Sequence, residues 1–166
     1  DAAFRLGLRT LVLFLYADRL RDLGEWACQL LAESLGKPGP RGAPPRGLTP
    51  VLARGATDQH SQLQLYMEGP RDRLVWFWRL ADLPRLAIPR GETAAAAEAA
   101  GRDFTALLEA ERRGCDLGLR RAARPTMMLS LRRADPASFG EVAAMLEMQG
   151  AVLGRLWRID PYDQPG

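Results

Sequence analysis

Few residues in this chain could bind a metal or form a disulfide. The 166 residues include one histidine, His60, one lysine, Lys37, and two cysteines, Cys28 and Cys115. His60 has no second ligand at i+3 or i+4, so its spacing gives no metal site. The two cysteines form no CxxC pair, and we interpret them as small core residues of a protein from a reducing compartment.

Long apolar runs and export signals are also missing. The longest apolar run, residues 11–16, has six residues, whereas a membrane span needs roughly 18. The chain has neither a signal-peptide pattern nor a starting Met. We therefore expect a segment of a longer cytoplasmic protein that has no membrane contact.

The positive charge is spread along the chain. The formal net charge is +3, and every basic residue other than Lys37 is an arginine. The arginines occur as scattered doublets at residues 112–113, 120–121 and 132–133. Nucleic-acid binders usually concentrate their charge in a patch or stripe with interleaved aromatic residues. The pattern predicts a solvated, arginine-rich surface, and we expect no nucleic-acid partner.

Apolar runs alternate with helical patterns along the chain. Four runs predict strands, at residues 10–16, 50–53, 73–80 and 125–131. The alternation is typical of a parallel α/β layer, and the sequence therefore predicts one doubly wound α/β domain with the order β-α-β-α-β-α-β-α. Ligands of such sheets bind outside the carboxyl ends of the strands. The turn at residues 54–57 lies at such an end and is a candidate ligand site.

Four segments predict helices, at residues 20–35, 58–68 and 92–113 and in a last segment that follows Asp135. Gly101 weakens the third of these helices. In the last segment Asp135 is the predicted N-cap, and a proline follows at the first helical position. The predicted buried face of the last helix consists of Phe139, Val142, Leu146, Leu153 and Leu156.

Two polar stretches contain the candidate catalytic side chains. Residues 55–66, GATDQHSQLQLY, include His60, and residues 29–37, QLLAESLGK, include Glu33. By residue chemistry alone neither stretch marks a site, because a lone histidine is more often structural than catalytic and a lone glutamate near a helix end is usually solvated. Asp58, His60 and Ser61 do not form a hydrolase triad by being neighbours, since adjacent helical positions point in different directions. The chain also has no GxSxG elbow.

Both stretches resemble signatures of one known family. GATDQHSQLQLYMEGPRD resembles the histidine-containing signature of bacterial glucose-6-phosphate isomerases, and QLLAESLGK resembles the segment that carries their catalytic glutamate. The tail IDPYDQPG resembles the start of the family's C-terminal signature. The resemblance runs along nearly the whole chain and keeps the family's order. It implies that residues 1–166 are the C-terminal sugar-isomerase (SIS) domain of a longer enzyme, with a flavodoxin-like three-layer sandwich.

The resemblance also implies roles for three residues. Glu33 matches the base that moves a proton between the two carbons next to the sugar carbonyl. His60 matches the group that assists opening of the sugar ring, and Gln29 matches a residue that lines the pocket near the phosphate end. One carboxylate within hydrogen-bond reach of both carbons can remove and return the proton, and an imidazole that titrates near neutrality can exchange a proton with the ring oxygen. The family's reaction requires neither a redox cofactor nor a metal.

Other parts of the family's site have no counterpart in this chain. The resemblance implies an N-terminal domain that supplies an arginine and phosphate-binding loops, a lysine beyond the tail, and a homodimer in which the histidine reaches the neighbour's pocket. Lys37 belongs to the ESLGK segment and does not match that lysine. We expect the parent to act on a phosphosugar and the isolated chain to be inactive. Two alternatives stay open: a non-catalytic module that senses sugar phosphates, and an isomerase of another phosphosugar such as mannose 6-phosphate.

Overall fold

The computed structural model describes residues 2–41, 43 and 45–163. Within these residues the chain forms, in order, α1 (Ala2–Arg5), β1 (Thr10–Leu15), α2 (Arg21–Leu35), β2 (Thr49–Arg54), α3 (Leu63–Glu68), β3 (Arg73–Leu80), α4 (Ala94–Ala99), α5 (Phe104–Arg121), β4 (Thr126–Leu131) and α6 (Pro136–Trp157). Two 3₁₀ turns, Asp18–Leu20 and Thr57–Gln59, precede α2 and α3. Strands and helices alternate as the sequence predicts, and only the short α1 has no counterpart among the predicted elements.

All four strands pair in parallel, in the order β2-β1-β3-β4. Phe14 of β1 lies opposite Ala53 of β2 on one side and Phe77 of β3 on the other. The chain passes from β1 outward to β2 and from β3 outward to β4, so the strand order reverses between β1 and β3. The structure thus confirms the doubly wound parallel sheet. The carboxyl ends of β1 and β3 form the crevice in which such sheets bind ligands.

Helices cover both faces of the sheet, which confirms the three-layer sandwich. α2 packs against α6 on one face, and α3 packs against α5 on the other. Because side chains alternate along a strand, β1 and β3 contribute to both cores. The core of the α2/α6 face includes Leu13, Trp76 and Trp78, whereas that of the α3/α5 face includes Phe14 and Phe77. Burial of such side chains, worth roughly 1.5–3 kcal/mol each, holds both helix layers on the sheet.

The helix predicted over residues 58–68 is wrong in its first half. The chain forms a 3₁₀ turn at Thr57–Gln59, and the α-helix begins only at Leu63. The Asp58 carboxylate accepts hydrogen bonds from the backbone N–H of Arg54, at 2.7 Å, and from the hydroxyl of Ser61, at 2.8 Å. Short polar side chains that bond the local backbone compete with helix formation in this way. The result is a turn that carries His60 between β2 and α3.

The helix predicted over residues 92–113 is two helices. α4 ends at Ala99, and α5 begins at Phe104 and continues to Arg121. Gly101 between them has a φ of +77°, in the left-handed region that glycine adopts without a steric penalty. Asp103 then caps α5 by accepting a hydrogen bond from the N–H of Thr105 at 3.0 Å.

The last helix begins as predicted, because the Asp135 carboxylate accepts a hydrogen bond from the Ser138 N–H at 2.8 Å. Its buried face contains Leu146 as predicted, but Leu156 is 59% exposed and Trp157 is buried in its place. A helical period of 3.6 residues brings position 157, and not 156, onto the face of Leu146. The predicted burial of Leu156 is therefore wrong.

Other predictions concern single residues and the tail. Cys115 is buried, as predicted for a core residue, whereas Cys28 is only half-buried, and both cysteines are free. Among the described helices, none is both long enough and apolar enough to cross a membrane. Residues 164–166 of the tail IDPYDQPG lie outside the described residues.

Candidate functional site

α2 carries two of the three predicted site residues on its exposed side. Gln29 and Glu33 are one helical turn apart, a spacing at which side chains meet. The Gln29 Nε2 donates a hydrogen bond to the Glu33 Oε1 at 3.1 Å. Both residues are exposed, so a ligand can approach the carboxylate. The structure thus brings Gln29 and Glu33 together.

The third predicted site residue, His60, lies in the segment of residues 54–62, which we call the His60 turn. His60 is exposed, and its backbone N–H donates to the carbonyl of Thr57 at 3.1 Å. Asp58 holds the two sides of the turn together through Arg54 and Ser61. Burial alone would raise the pKa of the Asp58 carboxyl, but the hydrogen bonds that it accepts outweigh burial and keep this pKa below its usual value.

Two buried tyrosines form hydrogen bonds with side chains of the His60 turn. The Gln59 Nε2 donates a hydrogen bond to the Tyr16 hydroxyl at 2.6 Å. The Tyr66 hydroxyl donates to the side-chain oxygen of Gln62. Tyr16 and Tyr66 are 2% and 3% exposed. The residues on both sides of the histidine are therefore tied to the core of the α3/α5 face.

Glu33 and His60 of one chain lie near opposite ends of the strands, Glu33 near the amino ends and His60 near the carboxyl ends. α2 starts beyond the carboxyl end of β1, and its last residue, Leu35, lies beside the segment that leads into β2. A Cβ on Gly47 would be 3.3 Å from the Leu35 carbonyl oxygen. His60, in contrast, follows the carboxyl end of β2, a strand whose six residues span about 20 Å. The structure therefore does not bring Glu33 and His60 together.

A cavity of about 220 Å³ opens at the carboxyl ends of β1 and β3. Its polar lining consists of Tyr16, Arg79, Asp103, Thr105 and Glu109. This cavity lies at the switch point where such sheets bind ligands, and neither Glu33 nor His60 lines it. Its polar groups were not among the residues predicted from the sequence.

Glu109 contacts three arginines beside this cavity. Arg112 donates to both carboxylate oxygens, at 2.8 and 2.9 Å, while Arg79 and Arg113 approach Oε1 at 2.9 and 3.0 Å. The hydrogen bonds from Arg112 and Arg113 and the charge of Arg79 lower the pKa of Glu109 to about 2, although burial acts in the opposite direction.

This cluster corrects the prediction of a wholly solvated arginine surface. Arg112 is only 7% exposed, although it belongs to one of the scattered doublets. The spacing of Arg112 and Arg113 at i+3 and i+4 from Glu109 is the signal in the sequence that indicates their pairing. In the part of the chain that the structure describes, no group of three or more His, Cys, Asp or Glu side chains could hold a metal ion.

Comparison with known proteins gives homologues over more than nine tenths of the chain. No protein-family model matches the chain. The glucose-6-phosphate isomerase of Rubrobacter xylanophilus is 40% identical over 158 residues, which are 93% of this chain and 35% of that protein. The glucose-6-phosphate isomerase of Carboxydothermus hydrogenoformans is 36% identical over 165 residues, 96% of this chain and 36% of that protein. The chain spans about a third of the length of the curated relatives it matches.

Two solved structures share the fold of this chain. A crystal structure of a hypothetical protein from Thermus thermophilus has a TM-score of 0.88 and 36% identity, and the match covers 99% of this chain and 41% of that one. A glucose-6-phosphate isomerase from Chlamydia trachomatis has a TM-score of 0.71 over 96% of this chain and 32% of that one, and its 20% identity supports the fold alone. The chain is therefore a homologue of the glucose-6-phosphate isomerases that corresponds to about one third of their length.

Proposed function

We propose that the chain is the second sugar-isomerase domain of an enzyme that interconverts glucose 6-phosphate and fructose 6-phosphate. The observation that carries this proposal is the homology to glucose-6-phosphate isomerases over more than nine tenths of the chain. The parent enzyme would contain a further, N-terminal sugar-isomerase domain and would act in the cytoplasm. In this proposal residues 1–166 contribute two reactive side chains and depend on the rest of the enzyme for the phosphate-binding loops.

Glu33 is the proposed proton shuttle. Isomerisation removes a weakly acidic proton from the carbon beside the carbonyl and returns it to the adjacent carbon, through an enediol(ate) intermediate. A carboxylate that a substrate can reach serves both steps, and Glu33 is exposed at the end of a regular helix. Gln29, which donates to one Glu33 oxygen, leaves the other oxygen available and would also contact the substrate near its phosphate end.

His60 is the proposed ring-opening group, and we propose that it serves the active site of a second subunit. The position of His60 beyond the carboxyl end of β2, and that of Glu33 near the amino end of the same strand, support this arrangement. A substrate the size of a hexose phosphate cannot span the roughly 20 Å along β2 and contact both groups. In a symmetric dimer each site would then combine one chain's Glu33 with the partner chain's histidine.

An assay of isomerase activity tests the proposed function. The parent enzyme should convert glucose 6-phosphate and fructose 6-phosphate, whereas the purified chain of 166 residues should fold and show only background turnover. Binding of both sugar phosphates without any turnover by the parent would contradict an enzymatic role and favour a sensing module. Preferential conversion of mannose 6-phosphate would contradict the proposed substrate, and robust activity of the isolated chain would contradict its dependence on the rest of the enzyme.

A further inference from the structure

In the His60 turn an exposed histidine lies between half-buried neighbours. His60 itself is exposed, whereas Asp58, Gln59 and Gln62 beside it are half-buried. The backbone hydrogen bonds at the 3₁₀ turn Thr57–Gln59 run from Gln59 to Ala56, from His60 to Thr57 and from Gln62 to Asp58, so they stay within the turn and do not attach it to the core. The position of the imidazole therefore depends on what the neighbouring side chains bind.

Tyr16 is a buried residue that packs against the His60 turn. It follows the last residue of β1, and its ring centroid lies 5.1 Å from that of Phe14 and 5.9 Å from that of Phe77. The backbone of Gly55 covers the ring, since a Cβ on Gly55 would lie 2.5 Å from Tyr16 Cε2. The Gly55 N–H also donates to the carbonyl of Leu15 at 2.8 Å. The start of the His60 turn is thus packed against the aromatic ring of Tyr16.

The Tyr16 hydroxyl is hydrogen-bonded to the His60 turn. It accepts a hydrogen bond from Gln59 Nε2 at 2.6 Å, and it also interacts with the Cys115 thiol of α5. Burial raises the pKa of the Tyr16 hydroxyl well above its usual value, so the group stays protonated over the whole physiological range. The Gln59 side chain therefore binds a partner that stays uncharged.

We propose that Tyr16 is a positioning residue for His60 and that it acts through the side chain of Gln59. This inference rests on the proposed function of His60. A catalytic group has to be held within about 0.5 Å of its working position, and a misplacement of about 1 Å can reduce the rate roughly 100-fold. Because the proposed role of Tyr16 and Gln59 is to hold His60 and not to bind the substrate, loss of their hydrogen bond lowers kcat and leaves KM nearly unchanged.

The single histidine makes the position of His60 directly measurable in the 166-residue chain. With isotope-labelled histidine, NMR shows one set of imidazole signals, and these belong to His60. Tyr16→Phe removes only the hydroxyl, and Gln59→Ala removes the side chain beyond Cβ, including the amide that binds this hydroxyl. We expect each variant to shift or broaden the imidazole signals. The double variant should add nothing further, because both changes break the same hydrogen bond.

Gln64→Ala is the matched control for Gln59→Ala. Gln64 is the same residue type in the neighbouring helix, and its amide donates to Glu68, so the imidazole signals should stay unchanged in this variant. If Tyr16→Phe does not fold, Gln59→Ala decides the question alone, since it truncates a side chain outside the core. Unchanged imidazole signals in a folded Gln59→Ala variant would overturn the proposal.

Kinetics of the parent enzyme separate this proposal from the proposed function. We expect Tyr16→Phe and Gln59→Ala to lower kcat by about 10- to 100-fold, with KM within about twofold. If His60→Ala is strongly impaired but Gln59→Ala is fully active, the positioning role is wrong and the role of His60 remains. Full activity of His60→Ala would overturn both the role of His60 and the catalytic role of its anchors.

Discussion

The two faces of the sheet hold their exposed polar residues by different means. On the α2/α6 face the fully buried side chains, such as Leu13, Leu20 and Leu146, make apolar contacts, and α2 carries Glu33 outward as part of a regular helix. On the α3/α5 face the core contains hydroxyl, thiol and guanidinium groups, and the His60 turn is attached to the hydroxyl groups by individual hydrogen bonds.

This difference predicts different sensitivities to mutation. Backbone geometry alone places a residue on a helix surface, so changes in the core below it move the residue little. A turn residue depends on particular side-chain hydrogen bonds, each worth about 0.5–1.5 kcal/mol. The α3/α5 face should therefore respond to the loss of single polar atoms, and the α2/α6 face mainly to the loss of the reactive group itself.

The largest expected effect is the loss of isomerisation rate when Glu33, the carboxylate on α2, is replaced. Glu33→Gln in the parent enzyme keeps the size and the hydrogen-bonding capacity of the side chain but removes the base. Loss of a general base costs about 10²- to 10⁴-fold in rate. Exchange of the proton at the second carbon of the sugar with solvent, followed by NMR in D₂O, should disappear together with turnover. Exchange at the normal rate would show that Glu33 is not the shuttle.

A mixing experiment tests whether the two faces serve different active sites. Glu33→Ala and His60→Ala parent enzymes should each be nearly inactive. In a mixed dimer with shared sites, one site carries both lesions and the other carries neither. After random subunit exchange about half of the dimers are mixed, so roughly a quarter of the wild-type activity should return, as measured by a coupled assay.

The control for this experiment is a pair of differently tagged wild-type subunits, which verifies that subunits exchange. If exchange is verified and no activity returns, Glu33 and His60 act within one subunit. That result would also contradict the separation of the two residues by the length of β2.

The sequence predicts the α2/α6 face better than the α3/α5 face. Parallel strands that are covered on both sides appear in the sequence as continuous apolar runs, and α2 has a regular apolar period. The hydrophobic pattern alone therefore locates the strands and α2. The His60 turn has no such signal, because the hydrogen bonds of Asp58 replace the helix that the pattern favours. Tyr16 and Gln59 are 43 residues apart, and no local spacing indicates their contact. The roles of Glu33 and His60 come from the family resemblance and not from periodicity.

The arginine cluster on the α3/α5 face should contribute strongly to stability. Glu109→Gln removes the carboxylate that binds the buried Arg112 through both of its oxygens, and breaking such a pair costs about 3 kcal/mol of unfolding free energy. Because folding lowers the pKa of Glu109 from 4.5 to about 2, its contribution is complete above about pH 4.5 and is lost as the pH falls towards 2.

Urea unfolding at several pH values measures this contribution. Between about pH 4.5 and 2 the wild-type chain should lose more stability than Glu109→Gln, whose side chain does not titrate. As a control, Glu25→Gln removes an exposed pair with Arg21 and should change the unfolding free energy by less than about 1 kcal/mol. Parallel pH profiles for the wild type and Glu109→Gln would contradict the role of the cluster.

A smaller effect is expected where the His60 turn touches Tyr16. Gly55→Ala places a Cβ within 2.5 Å of the aromatic ring, and forcing an extra carbon into a packed site costs about 1–3 kcal/mol. Gly118→Ala is the control on the same face, because its Cβ would make an ordinary contact of 3.7 Å with Met67. Thermal unfolding should show a lower Tm for Gly55→Ala only. Equal Tm values for the two variants would show that the Tyr16 ring can move aside to accept the added Cβ.

The smallest expected effect is a gain in stability on the outer surface of α5. Gly114 is exposed in the interior of this helix, and a Cβ there meets no atom within 4 Å. Alanine is favoured over glycine in a helix interior by about 0.5–1 kcal/mol, so Gly114→Ala should raise the urea midpoint without a change in slope. Gly101 also has open space around its Cβ position, but its φ is +77°. Gly101→Ala should therefore destabilise the chain by about 1 kcal/mol, and a gain at both positions would contradict the break between α4 and α5.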